Sequence, residues 1–290
     1  MFQAKKISEK RKFNVANFNR KAPIMYYNLI DDTKIEVCVD CFDATLSALC
    51  GQAFRWKKEG NGFNGFALDK PLYIEQNGNE FTLKDVSEDE FISFWKDYFD
   101  LDTDYASLKK LYSDDKTLKS ACEYAKGIRL LRQDTWETLI SFIISQNNNI
   151  PRIKGIIENM CKMFGGFPDA KALSSCTEED IAPLRTGFRA KYILDAARAV
   201  NDGRVVLSDL KTLPIEDARN SLMSIKGVGP TVAECVLLYG CYRVEAFPVD
   251  VWIKRVMAEY YPDGLPENIL STAGIAQQFL FHYMRTNNTK

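Results

Sequence analysis

The stretch Ile225-Lys-Gly-Val-Gly-Pro-Thr-Val-Ala-Glu-Cys235 sets two glycines and a proline just ahead of a helix-like run. Glycine lets backbone N–H groups approach a ligand closely, and Pro230 is suited to the first turn of a helix. A helix N-terminus adds unpaired N–H groups and a positive dipole end, so Gly227-Val-Gly229 suits a phosphate. A plain helix–helix turn is the other reading. Nineteen residues beyond Thr231, Ala246-Phe-Pro-Val leads into Asp250, where the next helix must begin. That aspartate is either an N-cap or a carboxylate held beside the glycine turn, able to stabilise a developing cation or polarise water. Acid–base work falls to carboxylates, lysine or water. His282 is the only histidine, which excludes a histidine triad elsewhere and any site needing two imidazoles.

The elements that must position these groups read as α+β. Over 34–84, Ile35, Val37 and Val39 alternate with polar neighbours, and Gln52–Lys58 carries Phe54 and Trp56. Gly60-Asn-Gly and Asn77-Gly-Asn mark turns, so an antiparallel sheet is expected. Residues 88–111 look helical and acidic. From about residue 115 helical periods follow one another. Asp134 or Thr135 caps one through Ile144, and Ile153 to Met163 forms another that stops at Gly165-Gly166. Helices also follow around Ile193–Val200, Ala218–Ile225, Val232–Tyr239 and Val256–Tyr260, the last clear one by periodicity. The expected division is a basic arm at 1–22, a sheet domain at 23–114 and an all-helical domain at 115–290.

Composition narrows the classes further. With 290 residues, 46% hydrophobic and 27% charged, the chain is neither disordered nor fibrous. No apolar run reaches the ~18 residues that span a bilayer, and the basic start lacks the apolar core of a secretory signal. The net charge of −1 excludes a uniformly basic nucleic-acid binder but allows a local basic face. The eight cysteines are scattered, so reduced thiols in a cytoplasmic protein are expected. Cys38-x-x-Cys41 stands alone and lacks the further ligands of a zinc site.

Taken together, G-V-G-P-T-V-A-E-C and F-P-V-D-V-W resemble the helix–hairpin–helix DNA glycosylases, and within them the 8-oxoguanine DNA glycosylase/AP lyase branch. Four further stretches are similar to that branch: Gly51-Gln-Ala-Phe-Arg-Trp56, Ser141-Phe-Ile-Ile-Ser-Gln-Asn-Asn-Asn-Ile-Pro-Arg-Ile153, Gly187-Phe-Arg-Ala-Lys-Tyr192 and Gly274-Ile-Ala-Gln-Gln-Phe-Leu-Phe281. The resemblance implies a base-excision-repair enzyme that flips 8-oxoguanine out of duplex DNA, opposite cytosine. It implies that Asn147 fills the gap, that Arg152 and Arg189 donate to the estranged cytosine, and that Phe188 wedges beside it. Gly227 and Gly229 would hold the DNA backbone. Gly51 would read the base through its carbonyl, Gln277 would bind the Watson–Crick edge, and Phe281 and Cys235 would pack on the two ring faces. 8-Oxoguanine carries a hydrogen on N7 where guanine has a lone pair. A carbonyl facing that atom discriminates by ~1–3 kcal/mol. From the residues alone, Gly51 reads equally as a strand turn, Phe281 and Cys235 as core, and the asparagine run as a helix-terminal turn.

One departure matters. The branch carries a lysine where this chain has Thr231, and threonine has no amine with which to form a Schiff base on the sugar. The expectation is therefore a monofunctional glycosylase in which Asp250 stabilises the oxocarbenium-like state and orients water, with Thr231 at most positioning that water. The alternatives are a lyase using Lys226 or Lys254, a lesion-binding protein with little turnover, and an alkylated-base glycosylase. No cofactor is expected, although carbonyls around the hairpin could hold a monovalent cation. A monomer acting on nucleoid DNA is the expected form.

Overall fold

The computed structural model describes residues 11–12, 25–78 and 80–287. Most of the basic arm at 1–22 lies outside the described residues. Its Arg11–Lys12 is the two-residue strand β1. The other strands are β2 (Met25–Asp31), β3 (Lys34–Val39), β4 (Trp56–Glu59), β5 (Gly62–Ala67), β6 (Lys70–Asn77) and β7 (Glu80–Lys84). They form one antiparallel sheet in the order β1-β2-β3-β7-β6-β5-β4. In β3 the alternation puts Ile35, Val37 and Val39 on the buried face, as period 2 requires. Trp56 pairs with Gly65, and a Cβ there would lie 2.4 Å from the indole. Glycine at 65 thus gives Trp56 its place against Phe63, Trp95 and Phe99.

The reading of Gln52–Lys58 as strand needs correction. Asp43 caps a short helix, Ala44–Leu49, by accepting from Leu46 N at 2.6 Å, and the strand begins only at Trp56. Between them the chain is irregular because Gly51 takes φ +106° and Gln52 turns inward. Gln52 Nε2 donates to the carbonyls of Ser47 and Arg129, and its Oε1 accepts from Leu131 N. The Gln52 carbonyl accepts from Gln133 Nε2 at 2.7 Å in place of a ladder partner.

Two apolar cores result. The sheet face packs on Phe91, Trp95 and Phe99. The helical core runs from Tyr105 to Met284 and takes in Cys50 and Phe54 from the loop before β4. Buried Arg129 ties the junction by donating to the carbonyls of Asp40, Cys41, Asp100 and Thr103. The helices expected at Thr135–Ser145, Ile150–Phe164, Ala190–Asn201, Ile215–Met223 and Val251–Tyr260 form. Gly165, at φ +72°, closes the second of these as a left-handed cap. Periodicity does not mark the final helix, Ala273–Asn287, because its first half is buried all round and carries no polar stripe. No helix among the described residues is long and apolar enough to cross a membrane.

Candidate active site

The glycine turn connects Ile215–Met223 to Pro230–Cys235. Gly227 has φ +80°, and a Cβ on it would sit 2.3 Å from Tyr192 Cγ, so only glycine admits that ring against the turn. Gly229 is the extended N-cap of the second helix, with Pro230 at its first position. Glu234 then fastens the following loop. Its Oε2 accepts from Phe247 N at 2.7 Å and its Oε1 from Arg219 Nε at 2.5 Å. From the other side Gly274 N donates to the Val244 carbonyl, and a Cβ at 274 would meet the Ala246 carbonyl oxygen at 2.5 Å.

This bracing sets Asp250. It is the N-cap of Val251–Tyr260, its Oδ1 accepting from Trp252 N at 3.0 Å and Ile253 N at 2.9 Å, and it also lines a cavity. The two readings of this residue are therefore compatible. Burial pushes its carboxyl above the ordinary aspartate value, opposed by those N–H groups and by the charge of Arg285. Thr231 Oγ1 donates to the Val249 carbonyl at 3.1 Å, tying the hairpin to the residue before Asp250. With its proton so placed, the hydroxyl offers lone pairs to a donor such as water.

The cavity measures about 1040 Å³. Around it stand Thr231, Asp250, Gly51, Cys235, Gln277, Phe281, Asn147, Phe188 and Gly229. Arg152, Arg189 and Gly227 do not line it. A Cβ on Gly51 would lie 3.2 Å from both Arg285 Nη1 and Ile150 Cδ1. Its positive φ and this crowding both call for glycine. Burial drives the Cys235 thiol well up, with Asp250 adding to the effect, so it stays neutral. Gln277 is buried. Its Nε2 donates to the Pro248 carbonyl at 3.2 Å, while Tyr239 makes its shorter bond, 2.7 Å, to Gln278 and stands 3.4 Å from Gln277 Oε1.

The asparagine run divides its labour. Asn148 Nδ2 donates to the Ile144 carbonyl, and Asn149 caps Ile150–Phe164 by accepting from Arg152 N. Asn147, at φ +47°, carries an exposed side chain with no hydrogen bond to another described residue. Arg189 is buried beneath it. Its Nε donates to the Gln146 carbonyl, Nη1 to Thr186, and Nη2 to both Gln146 and Asn147. Phe188 stands half exposed with the Arg189 guanidinium 4.4 Å from its ring centre. Arg152 lies at the surface and donates to the Arg185 carbonyl.

Sequence reasoning missed three contributors. Tyr239 lines the wall stacked on Phe142, with centroids 5.3 Å apart. Glu234 braces the loop that carries Asp250. Arg285 enters the cavity one helical turn beyond Phe281, and that spacing was the available signal. Neither Lys226 nor Lys254 lines the cavity. Among the described residues no group of three His, Cys, Asp or Glu side chains could hold a metal.

The chain matches two family descriptions: 8-oxoguanine DNA glycosylase, N-terminal domain, over residues 34–139, and HhH-GPD superfamily base excision DNA repair protein over 140–266. An N-glycosylase/DNA lyase of Saccharomyces cerevisiae is 33% identical over 76% of this chain and 68% of its own length. A structure of MBOgg1 in complex with a low-affinity DNA ligand is 40% identical, covering 90% of this chain and 99% of that one, with a TM-score of 0.84. The Clostridium acetobutylicum 8-oxoguanine glycosylase/lyase, solved with double-stranded DNA containing cytosine opposite 8-oxoguanine, is 34% identical, covers 93% and 100%, and scores 0.83.

Proposed function

Because the chain belongs to the 8-oxoguanine DNA glycosylase family within the HhH-GPD superfamily, we propose that it removes 8-oxoguanine from duplex DNA, opposite cytosine, by hydrolysis assisted by Asp250. The observation that carries the mechanism is the hairpin itself. Thr231 occupies the position of the family's amine nucleophile, its hydroxyl is bound to Val249, and among the described residues no lysine lines the cavity. The carboxylate is buried enough to act in a low-dielectric setting, where it stabilises cationic sugar more than it would in water.

The sequence of events follows from the groups available. A purine flipped into the cavity meets the Gly51 carbonyl at N7, the Gln277 amide at its Watson–Crick edge, and Phe281 and Cys235 on its faces. As the glycosidic bond lengthens, positive charge grows on the sugar beside Asp250. Water held by Thr231 and Asp250 adds to C1′. The neutral Cys235 thiol gives the base an apolar face and competes with neither group. Asn147 fills the vacated stack, aimed by the Arg189 bonds to the carbonyls of residues 146 and 147. Arg152 and the one remaining N–H of Arg189 donate to the estranged cytosine, and Phe188 wedges beside it. Gly227 and Gly229 approach the phosphate chain.

The division into sheet and helical domains at about residue 114 is supported by the two cores, although Tyr105 and Tyr112 already pack in the helical one. We take the enzyme to act as a monomer in the cytoplasm, on nucleoid DNA if the source is bacterial. Borohydride trapping on 8-oxoguanine:C duplex tests the mechanism. Free base should appear with no covalent protein–DNA adduct. A trapped adduct would return the alternative in which Lys226 or Lys254 attacks. Tight binding with no base release would return the lesion-binding alternative, and preference for 3-methyladenine the alkylated-base one.

A further inference from the structure

A hydrolytic glycosylase without its lysine has lost one positive charge from the cavity, yet the cavity wall still carries one. Arg285 lines it, and its Nη1 donates to the Cys50 carbonyl at 3.1 Å. The same Nη1 lies 3.2 Å from where a Cβ on Gly51 would stand, and its guanidinium carbon is 5.9 Å from the centre of the Phe281 ring. The guanidinium is therefore held beside Gly51 and the Phe281 ring, the two residues assigned to N7 and to one face of the flipped base. Its charge is also felt at Asp250.

From this geometry we infer that Arg285 is a catalytic residue, donating to the C8 oxygen of the flipped base and stabilising the negative charge that leaves with it. The inference rests on the base-removal reading above. In 8-oxoguanine the C8 oxygen is the substituent next to N7, so a donor anchored beside the N7 acceptor stands on that edge. When the N9–C1′ bond breaks, its electron pair stays on N9 and is shared through C8 with that oxygen. Water adds to C1′, and the proton it loses ends on the departing base, so the sum is hydrolysis with no other reactant. Guanine has no C8 oxygen, so the same contact would favour the lesion at the transition state as well as in binding. The bond to Cys50 holds the fork in place beforehand, which is what preorganised charge requires.

The test is single-turnover release of 8-oxoguanine by the full-length protein and by Arg285→Gln and Arg285→Lys. Affinity for a duplex bearing a tetrahydrofuran abasic analogue, which has no base to contact, is measured beside it. Arg285→Gln, which keeps a donor but no charge, should release base about a hundredfold more slowly, the scale of one lost charge-stabilising donor. Arg285→Lys should stay within about tenfold of the parent, and both should bind the abasic duplex as the parent does. Unchanged release by Arg285→Gln overturns the inference. So does a parallel loss of release and abasic affinity in both variants, which would mean that Arg285 only holds the Gly51 loop. If the unaltered protein releases no base, the base-removal reading itself has failed, and the two failures are told apart.

Discussion

On the hairpin side of the cavity, Asp250 and Thr231 each make backbone bonds and still line the open space. On the asparagine side, Arg189 directs four N–H bonds at three main-chain carbonyls and lies behind the wall rather than on it. The two regions use their hydrogen bonds in opposite ways. A carboxylate can cap a helix with one oxygen and keep the other for chemistry. A guanidinium that bonds the carbonyls of residues 146, 147 and 186 has one N–H left. On the proposed reading, the chemical side keeps its carboxylate on the cavity, while the reading side exposes Asn147, Phe188 and Arg152 over the buried Arg189.

Mutations should separate the halves. The largest effect is expected from Asp250→Asn, which should slow base release by about 100- to 1000-fold while duplex binding holds. Asparagine is as good an N-cap as aspartate, so the helix should survive. Next, Arg189→Ala should lower stability by about 2–4 kcal/mol, read as a shift in melting, because one buried and two partly buried carbonyls lose their donor and a buried side chain is removed. A fall of under about 0.5 kcal/mol would erase the contrast. Gly51→Ala should cost about 1–2 kcal/mol, through the +106° φ and the contacts at 3.2 Å, and should weaken discrimination against guanine. Arg152→Ala should barely move the melting temperature but reduce the salt dependence of duplex binding by about one ion if it meets a phosphate, or lower the preference for cytosine if it reads the base.

The same contrast has a pH signature. The folded pKa of Asp250 is raised, so the folded state binds more protons than the unfolded one in the window just above the ordinary aspartate value. Stability contributed through this group therefore falls as pH rises through that window, and at neutral pH the charge is a net cost. Asp250→Asn should melt no lower than the parent at pH 7 and lose its relative advantage in acid. Base release should run the opposite way, rising as pH climbs through the raised pKa.

Much of this was legible before any coordinates. The alternation in β3, the turn signals after β4 and β6, the Asp134 cap and the Gly165 stop all depend on neighbours within a few residues, and all formed. The Gln52–Lys58 stretch misled because the Gln52 side chain bonds the main chain of Arg129 and Leu131 and its carbonyl accepts from Gln133, all about eighty residues away, which local pattern does not encode. The final helix was hidden by burial on every side. At the site, Asp250 and Thr231 could be placed from spacing, since one turn and one cap fix them. Spacing from Phe281 could have put Arg285 on the same helix face, but its bond to Cys50 and its place beside Gly51 could not be read, because those residues arrive from the other end of the chain.

Strand cleavage measures base loss without an amine directly. The 8-oxoguanine:C duplex is taken through one turnover, and the products are split between hot alkali and neutral buffer. The expected result is free 8-oxoguanine with an abasic strand that breaks only in alkali. A strand cut in neutral buffer at the rate of base release would contradict it.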